Sequence, residues 1–109
     1  MENLGQQMQI VLAEMRNSEW QLLETEAAAL VFRSIRCFRN LFKAVNGMTY
    51  RAFRLQKKLE LAQELLCKTE TSITDISIRL GYASRRKFER SFKQRFNQTP
   101  AEFRRCNRK

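Results

Sequence analysis

Phenylalanine at positions 88, 92 and 96, glycine at 81 and proline at 100 set the frame in which this chain can fold. Aromatic rings four residues apart make an apolar stripe along one side of a helix. Upstream of the stripe, Ser72 and Asp75 form a capping box, and Ile73, Ile76 and Leu80 supply the buried face of a short helix. Gly81 ends that helix, Tyr82 and Ala83 cross a turn, and Ser84 caps the helix that carries the stripe. Asn97 suits the left-handed conformation at its C-terminus. Thr99-Pro100-Ala101-Glu102 is a second capping box with proline at the first helical position, and it opens a last short helix with Phe103 on its buried side.

The rest of the chain reads the same way. Residues 6–19 put Met8, Val11, Leu12 and Met15 on one helical stripe. Residues 24–32 form a short helix with Glu24 and Glu26 in its first turn, where the positive helix end favours acids. Ser34 caps a helix striped with Phe38, Leu41, Phe42 and Val45, which Asn46-Gly47 closes. Thr49 caps a long helix running to about Cys67, with Tyr50, Phe53, Leu59, Ala62 and Leu66 on one stripe and Leu55, Leu61 and Leu65 beside it. At 1.5 Å per residue it is roughly 28 Å long. Trp20 lies outside any stripe and either packs under the first helices or is partly exposed. Three glycines and one proline in 109 residues leave little to break helices, so the expected fold class is all-α in one compact domain.

Charge narrows the function. The chain carries a formal +10, but residues 1–32 hold one base and five acids, whereas residues 33–109 hold 20 bases and six acids. That basic stretch calls for a polyanionic partner, nucleic acid before an anionic membrane surface. The ordinary alternative is a merely soluble cationic surface. There is no histidine, and Cys37, Cys67 and Cys106 are scattered without a CxxC pair, which excludes the usual zinc sites and suits free thiols. Cys67, beside Leu65 and Leu66, reads as a buried small hydrophobe. No catalytic constellation, phosphate-cradling glycine loop, secretory signal or membrane-spanning run is visible, so no enzyme, cofactor, metal or membrane role is expected.

Residues 72–96 have the anatomy of a helix-turn-helix. On the second helix the phenylalanines point inward, while Arg85, Arg86, Glu89, Arg90 and Lys93 point outward. A recognition helix needs this layout, with outward N-terminal residues reaching base edges. Arginine can bond guanine through two hydrogen bonds, and glutamate can accept from cytosine. A solvated charged face is the commoner explanation of such a helix, but four bases against one acid lack the alternation of a salt-bridged face.

The run Ile76-Ser77-x-x-x-Gly81-Tyr82-x-Ser84-x-x-x-Phe88-x-x-x-Phe92-Lys93-x-x-Phe96-Asn97-x-Thr99-Pro100-x-x-Phe103-Arg104 resembles the signature of the AraC/XylS family. In that family glycine usually stands at the place of Asn97, and alanine often at that of Ser77. The resemblance covers about residues 8–106. It implies one AraC-type DNA-binding domain over 1–109, with a first helix-turn-helix at about 8–47, a linker helix at about 49–67 and a second helix-turn-helix at about 72–106. Ser34-x-x-x-Phe38-x-x-Leu41-Phe42-Lys43-x-x-x-Gly47-x-Thr49 is similar to the first unit's recognition helix and its exit. The linker's length suits two recognition helices, about 34–45 and 84–96, in successive major grooves. One departure stands out: Phe32 occupies the usual turn glycine of the first unit, so either the turn forms without glycine or that unit packs differently.

The resemblance implies a transcription activator that binds double-stranded DNA as a monomer and contacts RNA polymerase. A DNA-binding domain that nearly fills the chain implies a cytoplasmic, nucleoid-associated regulator with no small-molecule effector. Arg85, Arg86, Glu89 and Arg90, with Arg36, Arg39 and Asn40 in the first unit, are the expected base-contacting residues. Ser84, Lys93, Lys43, Arg51, Arg54, Arg104 and Arg105 are the expected phosphate contacts. A competing reading is a protein-interaction co-regulator or antagonist that uses its acidic, apolar N-terminal third.

Overall fold

The computed structural model describes residues 4–107, and they are helical throughout apart from short connections: α1 Leu4–Asn17, α2 Glu24–Leu30, α3 Ile35–Asn46, α4 Tyr50–Lys68, α5 Ile73–Arg79, α6 Arg85–Phe96 and α7 Pro100–Asn107. The chain divides into two compact units, the first ending at Lys57 and the second beginning at Lys58. Helix α4 contributes to both, because its first turns carry Tyr50 and Phe53 and its later turns carry Leu59, Ala62, Leu65 and Leu66.

The caps fall where the polar residues stand. Ser34, Ser72 and Ser84 each accept a hydrogen bond from the backbone N–H three residues on, at 3.2, 3.0 and 3.2 Å. Each bond satisfies one of the donors a helix start leaves open. Thr99 and Glu102 close a reciprocal box: Thr99 N–H donates to Glu102 Oε1 at 3.0 Å, and Glu102 N–H donates to Thr99 Oγ1 at 3.1 Å. The Thr99 N–H holds the Glu102 carboxyl below its ordinary range by bonding the charged form. Gly47 (φ 77°) ends α3 and Asn97 (φ 60°) ends α6, both left-handed.

Each unit buries its own core. In the first, Met8, Val11 and Met15 pack with Ala27, Ala28, Val31, Phe38, Phe42 and Tyr50. Trp20 is half-buried against this core, with its ring 6.4 Å from that of Phe53. In the second, Phe88 and Phe92 are fully buried among Leu59, Leu66, Ile76 and Leu80. Ser77 is also buried, and its hydroxyl donates to the Thr74 carbonyl at 2.6 Å, so a small polar residue sits inside at no unpaired cost. Three sequence expectations change. Val45 and Leu55 leave their stripes and are 45% and 43% exposed, and Cys67 is only half-buried. The stripes are narrower than the sequence suggests because each short helix buries little more than one row.

The two helix-turn-helix turns share one hydrogen-bond scheme. In the second, Gly81 N–H donates to Ile78 O and Tyr82 N–H to Ser77 O, both at 3.0 Å. In the first, Phe32 N–H donates to Ala29 O at 3.1 Å and Arg33 N–H to Ala28 O at 3.0 Å. Phe32 (φ 55°) thus takes the left-handed place of Gly81 (φ 83°), and the turn forms without glycine. The first turn reaches its cap, Ser34, one residue sooner than the second reaches Ser84. Phe32 is 97% exposed, so its side chain gains no burial to offset the strain. Phe32→Gly is expected to stabilise the fold by about 1 kcal/mol in urea unfolding, the relief of a left-handed non-glycine less glycine's added chain entropy. A loss of stability would mean that the Phe32 ring supports the fold.

Candidate nucleic-acid interface

Helix α6 is fastened by Phe88 and Phe92; Arg85, Arg86, Lys87, Arg90, Lys93 and Arg95 are exposed, with Arg86, Arg90 and Lys93 on the side opposite the phenylalanines. Glu89 is half-buried and pairs with Arg85 (Nε to Oε1, 3.5 Å), while Arg85 Nη1 donates to Thr74 Oγ1 at 3.3 Å. Arg85 is therefore tethered within its unit. Ser84, offered as a phosphate contact, spends its side chain as the cap of α6. Lys87, also exposed, adds to the basic face, whereas Arg95 is exposed beside the phenylalanine row. The helical wheel around the phenylalanines is the sequence signal for Lys87.

Helix α3 repeats the arrangement. Phe38 and Phe42 are buried, and Arg36, Arg39, Asn40 and Lys43 are exposed. Arg39 Nε donates to Glu24 Oε1 at 2.8 Å, joining α3 to the first turn of α2. Glu24, Arg39, Asn40, Lys43, Thr49, Tyr50 and Arg51 line a basin of about 420 Å³. Tyr50 gives its hydroxyl to the Leu22 carbonyl at 2.6 Å, and burial pushes this phenol up to about 12, against the pull of Arg54. The group therefore stays neutral and locks the approach to α2. Cationic side chains flanking a helix start suit phosphate oxygens.

Two expected phosphate contacts are engaged within the fold. Arg54 Nε donates to the Trp20 carbonyl at 2.7 Å and its Nη2 to the Gln21 carbonyl at 3.1 Å. Arg104 Nε donates to Leu66 O at 3.1 Å, and its Nη2 donates to Thr69 O at 3.3 Å and Thr71 O at 2.6 Å. Both guanidiniums are half-buried and hold the loop ahead of a scaffold helix, α2 in one unit and α5 in the other. In the first unit that loop contains Glu19 (φ 54°) and Trp20 (φ 67°), both left-handed. Arg51 and Arg105, by contrast, are exposed. In the apolar N-terminal third, Met8, Val11 and Met15 are core, whereas Leu23, Leu30 and Phe32 are exposed.

Two pairs of scaffold and recognition helices, the recognition helices both capped by serine and presenting basic faces, define a helix-turn-helix DNA-binding regulator. A family model described as a helix-turn-helix domain matches residues 27–106. The chain belongs to the AraC/XylS family of transcription regulators. It is similar to the HTH-type transcriptional regulator ExsA of Pseudomonas aeruginosa, with 27% identity over 99 residues, covering 91% of this chain and 35% of that protein. It is 34% identical over 67 residues to the virulence regulon transcriptional activator VirF of Yersinia enterocolitica, covering 62% of this chain and 25% of that protein. The chain thus spans about a third and a quarter of these two relatives. A transcriptional regulator from Chromobacterium violaceum with an AraC-type DNA-binding domain superposes with a TM-score of 0.84 at 27% identity, covering 93% of this chain and 91% of that one. The all-α class and the absence of an enzymatic role follow from this membership.

Proposed function

We propose that the chain reads duplex DNA through both recognition helices, α3 and α6, and activates transcription. The observation that carries this reading is the repetition of one design. Each unit buries two phenylalanines and turns a row of cations outward, at Arg36, Arg39 and Lys43 in one and Arg86, Arg90 and Lys93 in the other. A solvated surface helix has no need of such duplication. Arg85, Arg86, Glu89, Arg90, Arg36, Arg39 and Asn40 are the candidates for base edges, and Lys93, Lys43, Arg51 and Arg105 for phosphates. Activation is the role named for VirF, and contact with RNA polymerase, a cytoplasmic place of work and binding as a monomer are parts of the same proposal.

Arg90→Ala is expected to weaken binding to a specific site by ~1–3 kcal/mol, the size of a good bidentate base contact, and to leave random DNA nearly unaffected. Equal losses on specific and random duplexes at one salt concentration would make Arg90 a phosphate contact only.

A second reading has one observation in its favour. Phe32, Leu30 and Leu23 are 97%, 38% and 52% exposed at the ends of α2, and a protein partner could use them. Phe32→Gly tests this patch: lost promoter output with intact DNA affinity would assign Phe32 to a protein contact, and unchanged output would remove it from one.

A further inference from the structure

The acidic tether on the first recognition helix is the feature that DNA binding by itself leaves unexplained. Arg39 stands on the exposed face of α3, yet its Nε is engaged by Glu24 at 2.8 Å, with side chains 61% and 24% exposed. Glu24 places a carboxylate in the same basin as Lys43 and Arg51. On a surface that approaches phosphates, such a carboxylate repels the ligand. An acid in the first turn of α2 favours the helix with or without a partner, and a partly exposed ion pair adds little to that, so fold stability alone does not call for the pairing with Arg39.

The geometry of the pair suggests a use. A guanidinium has one N–H on Nε and two on each Nη. With Nε held by Glu24, the two Nη groups remain to donate side by side, the pattern that O6 and N7 of guanine accept in the major groove. We infer that Glu24 is a positioning and specificity-determining residue: it presents Arg39 for bidentate contact with a guanine and weakens binding wherever no guanine is offered. Fixing the arginine beforehand removes part of the cost of ordering a long side chain on binding. The second unit ties an arginine in a parallel way, with Arg85 bonded to Thr74 near the start of α5. There the partner on the scaffold helix is a hydroxyl, where the first unit has a carboxylate. This inference rests on the DNA-reading function proposed above.

The test uses the full chain with three kinds of duplex: the sequence it selects from a random pool, that sequence with each G·C pair replaced in turn, and random DNA. Glu24→Ala is expected to lose about five- to tenfold on the selected duplex, a fraction of a bidentate contact. It should gain about two- to threefold on random DNA as repulsion is removed. The preference for guanine should relax at one position only. Glu24→Asp keeps the charge and the acid at the α2 start but cannot reach Nε, so it should lose that guanine preference without the gain on random DNA. Arg39→Ala should cost less in the Glu24→Ala background than in the wild-type chain, because part of its contact is already lost. Equal gains on all duplexes would reduce Glu24 to a repulsive charge and overturn the inference, as would an unchanged guanine preference in the Asp variant. A wild-type chain with no preference for any duplex would overturn the DNA-reading function itself. A clear wild-type preference that Glu24→Ala leaves intact would overturn the positioning role alone.

Discussion

Phe92→Ala is expected to remove a large share of the stability of the second unit, about 3–5 kcal/mol. The Phe92 ring is fully buried and meets Phe88, Phe96 and Phe103 at centroid distances of 5.9, 4.7 and 5.5 Å. Truncating a buried phenylalanine costs about 3–5 kcal/mol through lost transfer energy and the cavity left behind. A domain has only about 5–15 kcal/mol in total. The neighbours are themselves large rings fixed on α6 and α7, so the cavity cannot readily collapse. Urea unfolding followed by helical circular dichroism measures the loss. A cost below about 1 kcal/mol would mean that the ring stack is not the keystone of this unit.

Arg104→Ala is expected to cost roughly 2–4 kcal/mol, because one charged group satisfies three carbonyls and each such bond is stronger than a neutral one. Leu66 lies in the last turns of α4, and Thr69 and Thr71 in the loop that follows, so the change frees both a helix end and the entry to α5. Arg104→Lys should recover less than half of the loss, since an ammonium lacks the planar fork that spans several acceptors. The salt dependence of DNA binding should stay as in the wild type. A slope shallower by about 0.9 in the double-logarithmic plot would instead return Arg104 to the phosphates. Stability and salt slope therefore separate the structural role from the role expected from sequence.

Much of this architecture is legible in the sequence because the caps are strong and local. Ser34, Ser72, Ser84 and Thr99 each mark a helix start by a bond to a neighbour three residues away, which needs no tertiary knowledge. Phenylalanines spaced by four likewise mark the buried rows. What stays hidden depends on contacts across the fold. Arg54 and Arg104 look like any other bases in a chain of net +10, and their carbonyl partners lie 33–38 residues away. One clue was available: Phe53-Arg54 and Phe103-Arg104 stand 50 residues apart, the same interval as Ser34 to Ser84 and Thr49 to Thr99. An internal duplication that preserves an arginine beside a core aromatic points to structure before surface. Phe32 was visible as an oddity at the turn, but only its backbone angle shows that the turn tolerates it. The Glu24–Arg39 tether spans 15 residues and two helices, beyond the reach of any local pattern.

Whether both recognition helices read bases is tested most directly by selecting random duplexes with the purified chain near physiological salt and sequencing the bound pool. Salt must be fixed, because phosphate contacts make affinity steeply dependent on it. A motif of two boxes is expected, one lost or relaxed in Arg90→Ala and the other in Arg39→Ala. A single box insensitive to Arg39→Ala would confine base reading to α6, and a pool with no motif would contradict sequence-specific recognition by this chain altogether.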